Sequence, residues 1–106
     1  MDSVGKWMVD SISAGGFDYK DDRGNCIFEP WKEEVSAKNL FDSYKFWCDA
    51  QKVGEYGRLS QTGFGLQLNK WGFMTKKKSN GNYRQMKMLE DAKKTIQAKE
   101  KVCIPD

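Results

Sequence analysis

The chain contains no histidine. It also has no Cys-x-x-Cys pair, so the usual ligand sets of a structural zinc site are missing. Its three cysteines, Cys26, Cys48 and Cys103, are odd in number and widely spaced, which argues against a disulfide scaffold. Cys48 falls among apolar helical positions and is expected as a small core residue. No apolar run approaches the roughly 20 residues of a membrane span, and no secretory leader is visible. These absences favour a reduced cytoplasmic setting without membrane contact. With no histidine, no metal-ligand cluster and no nucleophile beside a base, an enzyme is the least expected class. No catalytic residue, metal or cofactor is expected. The glycine-rich stretch Gly54-Glu55-Tyr56-Gly57-Arg58 is not a P-loop, because no strand precedes it and the Gly-Lys-Ser/Thr ending is missing.

One absence is local. Residues 56–89 hold no Asp or Glu, while Arg58, Lys70, Lys76, Lys77, Lys78, Arg84 and Lys87 give that window a formal charge of +7. A run of one sign on a helix and its hairpin is the electrostatic footprint of phosphate binding. A solvated basic surface is the plainer alternative, and the complete lack of acids weighs against it. The net charge of +3 hides this asymmetry. Residues 1–35 carry four Lys/Arg against eight Asp/Glu, and residues 36–106 carry fourteen against seven. The acidic third is expected to face away from a nucleic acid and the basic remainder toward it.

What is present suits one domain of 106 residues with a single aromatic-rich core, since 39% of the chain is apolar and it includes six Phe, four Tyr and four Trp. Residues 1–14 read as a first helix, capped by Asp2 or Ser3, with Val4, Trp7, Met8 and Ile12 on one face. Residues 15–35 read as an insertion, either short strands or an ordered loop around a turn at residues 21–25. Residues 36–52 read as a second helix opened at Val35 or Ser36. Its apolar stripe is Leu40, Phe41, Tyr44, Trp47 and Cys48. Residues 60–71 read as a third helix, with Ser60 as N-cap, Phe64, Leu68 and Trp71 on one face, and Gly72 as the left-handed stop. Residues 73–89 read as a hairpin, because Asn80-Gly81 between two basic runs is a strong turn signal. Residues 90–106 read as a trailing helix and tail, with Leu89, Ala92, Ile96, Lys99 and Cys103 along one seam and Pro105 at its end. The expected fold is therefore α+β, a winged helix-turn-helix of three helices and a hairpin wing, followed by a C-terminal helix.

In helix-turn-helix proteins the third helix enters the major groove. On a helical wheel Thr62, Leu66 and Asn69 oppose the apolar face, and Gln61, Gly65 and Lys70 flank it. Gln61, Thr62 and Asn69 are candidates for base contact, because Gln and Asn bond adenine bidentately and a Thr methyl meets a thymine methyl. Gly65 would let the backbone lie close to DNA. Arg58, Lys70, Lys76, Lys77, Lys78, Asn80, Asn82 and Arg84 are candidates for phosphate contact around the wing.

Three stretches carry a resemblance. They are Asp2-Ser3-Val4-Gly5-Lys6-Trp7, the second helix with its Tyr44-Lys45-Phe46-Trp47-Cys48 ending, and Leu59-Ser60-Gln61-Thr62-Gly63-Phe64-Gly65-Leu66-Gln67-Leu68 with Trp71-Gly72-Phe73. With Lys76-Lys77-Lys78 and Tyr83-Arg84, the chain resembles the C-terminal winged-helix domain of phage, plasmid and genomic-island primase–helicases of the superfamily-3 type. The resemblance implies recognition of replication-origin DNA. It also implies partnership with the helicase and primase domains of a parent protein and oligomerisation through that helicase; the C-terminal helix is the other candidate seam, the one expected of a stand-alone regulator. Residues 15–32 are longer than the family pattern. The chain has no helicase or primase motif, so it would be a fragment or a small separate relative. A stand-alone winged-helix regulator and a protein-binding winged helix are the other expectations.

Overall fold

A computed structural model describes residues 2–104. Pro105, expected to end the last helix, lies outside the described residues. Helix α1 spans Ser3–Ala14. The Asp2 side chain caps it by accepting from the Gly5 amide at 2.8 Å, and Gly15 stops it at a φ of 76°. The insertion is a true hairpin, β1 (Gly16–Lys20) and β2 (Cys26–Pro30), paired antiparallel. Its turn is held by the Asp21 carboxylate, which accepts from the amides of Arg23 and Asn25 at 2.9 and 2.8 Å. Those amide bonds, Asn25 first, hold the Asp21 carboxyl below its ordinary value.

A third strand, β3 (Glu34–Ser36), precedes α2 (Ala37–Ala50). Sequence reading put Val35 or Ser36 at the opening of the helix. Val35 instead belongs to the strand and is buried, while Ser36 caps α2. A single 3₁₀ turn, Glu55–Gly57, leads to α3 (Gln61–Lys70). Ser60 caps α3 by accepting from the Gly63 amide. The helix closes with a paired bond system: Phe73 N–H donates to the Leu68 carbonyl and Gly72 N–H to that of Asn69, with Gly72 at a φ of 88°. Strands β4 (Thr75–Lys78) and β5 (Gly81–Gln85) follow, joined by Ser79 and Asn80. Helix α4 (Leu89–Glu100) ends the described fold.

Among the described residues the protein is thus α+β, with four α-helices and two small antiparallel sheets. The second sheet has the strand order β3-β5-β4, so the strand before α2 pairs with the last strand of the chain. No helix of the described residues is long and apolar enough to cross a membrane.

Aromatic rings build the core. Trp7 lies 5.8 Å from Phe17, 6.0 Å from Tyr44 and 5.3 Å from Phe64 between ring centroids, which ties α1, the first hairpin, α2 and α3 together. Its indole N–H donates to Ser43 Oγ at 3.1 Å. Phe64, Leu68 and Trp71 are buried on the expected face of α3. Helix α4 packs on α1, and its Ala92 and Ile96 are fully buried. The expected seam changes beyond Ile96: Lys99 and Cys103 are exposed, and Val102 and Ile104 turn inward. The helix ends at Glu100 with Lys101 left-handed, which resets the helical phase.

Candidate nucleic-acid interface

The apolar face of α3 is fixed against Trp7 and Tyr44, so its opposite face is set by helical geometry. Gln61, Thr62, Leu66, Asn69 and Lys70 are exposed there. Leu66 is 58% exposed, unusual for a leucine this close to a core helix face. Tyr44 holds the approach to α3: its hydroxyl accepts from the Leu59 amide at 2.8 Å and shares a hydrogen bond with Ser3 Oγ at 2.7 Å.

Strand register sorts the β4–β5 hairpin into two faces, because alternate side chains point opposite ways. Thr75 pairs with Arg84, Lys77 with Asn82, and Val35 with Arg84. Val35 is buried, so this face looks to the domain and to α3. Lys77, Asn82 and Arg84 share it. Lys76, Tyr83, Lys78 and Glu34 share the other face. There the Glu34 carboxylate pairs with Lys76 at 3.3 Å and with Lys78, and Lys78 also lies 4.8 Å over the Tyr83 ring. Lys78, then Lys76, holds the Glu34 carboxyl below its ordinary value. Asn80 is exposed in the turn.

Five of the seven cations counted from sequence are engaged inside the molecule. Arg58 donates from Nε to the Val53 carbonyl at 3.2 Å and pairs with Asp49 at 3.0 Å. It therefore fastens the end of α2 instead of standing open before α3. Arg84 donates from Nη1 to the Phe73 carbonyl at 3.0 Å and to Asn69 Oδ1. Burial pulls its guanidinium below the ordinary value. Lys87 folds back over the Phe73 ring at 5.6 Å and reaches Thr95 Oγ1. Lys76 and Lys78 meet Glu34. Lys70 and Lys77 remain as exposed cations flanking α3. A Cβ at Gly65 would stand 2.9 Å from Arg84 Nη2, so the missing side chain leaves room for that guanidinium.

Sequence reasoning missed Glu34 altogether, as part of an acidic third expected to face elsewhere. Recognising β3 would have found it, since pairing with β5 brings Glu34 beside the β4–β5 hairpin. No protein-family model, curated protein or solved structure matches this chain.

Proposed function

We propose that this chain is a winged helix-turn-helix domain that binds double-stranded DNA through α3 and the β4–β5 wing. One observation carries the proposal. The acid-free segment folds into a helix and an adjacent hairpin, with the polar residues of the helix outward and Lys77 and Asn82 on the hairpin face that looks toward it. The strand order β3-β5-β4, with α2 and α3 between β3 and β4, supports the winged-helix assignment. Gln61 and Thr62, in the first turn of α3, meet base edges. Lys70 and Lys77 bind phosphate on either side, and Asn80 and Asn82 follow along the wing. Lys76 and Lys78 reach phosphate only in competition with Glu34. Arg58 and Gly65 leave the contact set, because both serve the domain itself.

The resemblance to the C-terminal domain of mobile-element primase–helicases extends the proposal to replication-origin DNA and to a parent helicase as partner. A winged helix that binds protein is the second reading, favoured by the internal neutralisation of Lys76 and Lys78.

Fluorescence anisotropy of a labelled duplex, titrated from low to physiological salt, tests the proposal. Affinity is expected to fall with a log–log slope of about −0.9 for each phosphate engaged. Duplexes carrying origin repeats should bind more tightly than random ones. Absence of binding at low salt would favour the protein-binding alternative.

A further inference from the structure

The contact between Arg84 and Asn69 constrains what α3 can read. A guanidinium has donors only, and an asparagine side chain accepts only through Oδ1. The hydrogen bond from Arg84 Nη1 therefore fixes the orientation of the amide: Oδ1 faces Arg84, and Nδ2 with its two N–H groups faces away from it. Arg84 is itself held by the Phe73 carbonyl at 3.0 Å, and it lies on α3 where Gly65, one turn before Asn69, leaves room for Nη2. Asn69 is exposed, so its outward chemistry is that of a donor pair.

We propose that Arg84 is a positioning residue that makes Asn69 a donor-only reader, selecting guanine over adenine at one base pair. The proposal rests on the DNA-binding function above. Bidentate recognition of adenine needs a donor to N7 and an acceptor for the N6 amino group, and Oδ1, the one acceptor atom, is turned to Arg84, so its second lone pair would have to take the amino group beside the guanidinium. Guanine presents N7 and O6, two acceptors and no donor, on its major-groove edge. The inference reverses the base that an unpartnered asparagine would be assigned from sequence.

Selection of duplexes from a randomised pool on the wild-type chain, followed by anisotropy titration of single base-pair variants, tests it. One G·C pair is expected whose change to A·T weakens wild-type binding at least about fivefold. The same change should cost Asn69→Ala nothing. In Arg84→Met the guanine preference should vanish or pass to adenine, because the amide is free to turn. Gly65→Ala, which crowds the guanidinium without removing its charge, is the second variant and should erode the same preference if Arg84→Met does not fold. A purely structural role for Arg84 would lower all affinities together and leave the base preference in place, which would overturn the proposal. An Asn69-dependent A·T pair in the wild type, or selected duplexes with no Asn69-dependent pair, would overturn it while leaving DNA binding intact. If the wild type retains no duplex at all, the chain is not a duplex binder and the inference falls with that function.

Discussion

Tyr44 shows how much one side chain settles. Its ring stacks on Phe64 at 5.1 Å, and its hydroxyl joins Ser3 in α1 and the Leu59 amide before α3. Tyr44→Phe keeps the ring and removes both bonds, leaving an amide without its partner. A loss of about 1–2 kcal/mol in urea unfolding is expected, with the m-value unchanged. No measurable loss would mean that water replaces the hydroxyl at no cost. Burial pushes the Tyr44 phenol up from 10.0 and the Cys48 thiol up from 9.0. In the unfolded chain both ionise at their ordinary values, so the unfolded state loses its protons first. Their contribution is full at neutral pH and is lost as pH rises past 9.0 and then past 10.0. Urea midpoints measured at about pH 7 and about pH 10 should therefore differ, with the alkaline midpoint lower.

At the scale of the element, helix periodicity was informative and long-range pairing was not. The face Phe64, Leu68 and Trp71, the cap at Ser60 and the left-handed Gly72 follow from local spacing, and each is found in place. Strand β3 has three residues, too few for a period-two pattern, and its partner β5 comes about fifty residues later in the chain. A run of three lysines likewise says nothing about which face each one takes. Only the register sends Lys77 toward α3 and leaves Lys76 and Lys78 with Glu34. The candidate site was thus legible as a charged stretch, while the partners that restrain five of its cations were not. Two outcomes follow for the wing. Glu34→Gln releases two cations, so duplex affinity at low salt should rise and the salt slope should steepen by up to about two contacts. Lys77→Ala should weaken binding to every sequence alike and flatten the slope by about one contact. Anisotropy across salt concentrations reads both, and an unchanged slope in Glu34→Gln would mean that Lys76 and Lys78 stay off the phosphate even when unpaired.

Across the whole molecule, the acidic third is structural at Phe17 and Trp31. Phe17 stacks on Trp31 at 4.8 Å and touches Trp7, while the Trp31 indole donates to the Lys87 carbonyl at 2.9 Å, just before α4. The insertion is therefore stitched to the core and to the end of the wing. Phe17→Ala should cost about 3–5 kcal/mol in urea unfolding, a large share of the stability of a domain this small. A cost below about 1 kcal/mol would show that the hairpin only rests on the surface. The expectation that acids lie away from the basic surface holds poorly at one residue, Glu34, because β3 carries it across the sheet to the wing lysines.

The strand order also sets a schedule for the nascent chain. β5 is the middle strand of its sheet, yet it is synthesised after both of its neighbours. While the chain emerges from the ribosome, β3 and β4 each wait for the strand that pairs with both in the finished sheet. Helices α1, α2 and α3 can gather around Trp7 in that interval, because their contacts need nothing beyond residue 71. The β4–β5 hairpin and β3 lock together only when Gln85 is in place, so the basic surface takes its final shape after α1, α2 and α3 have emerged, with α4 still to follow.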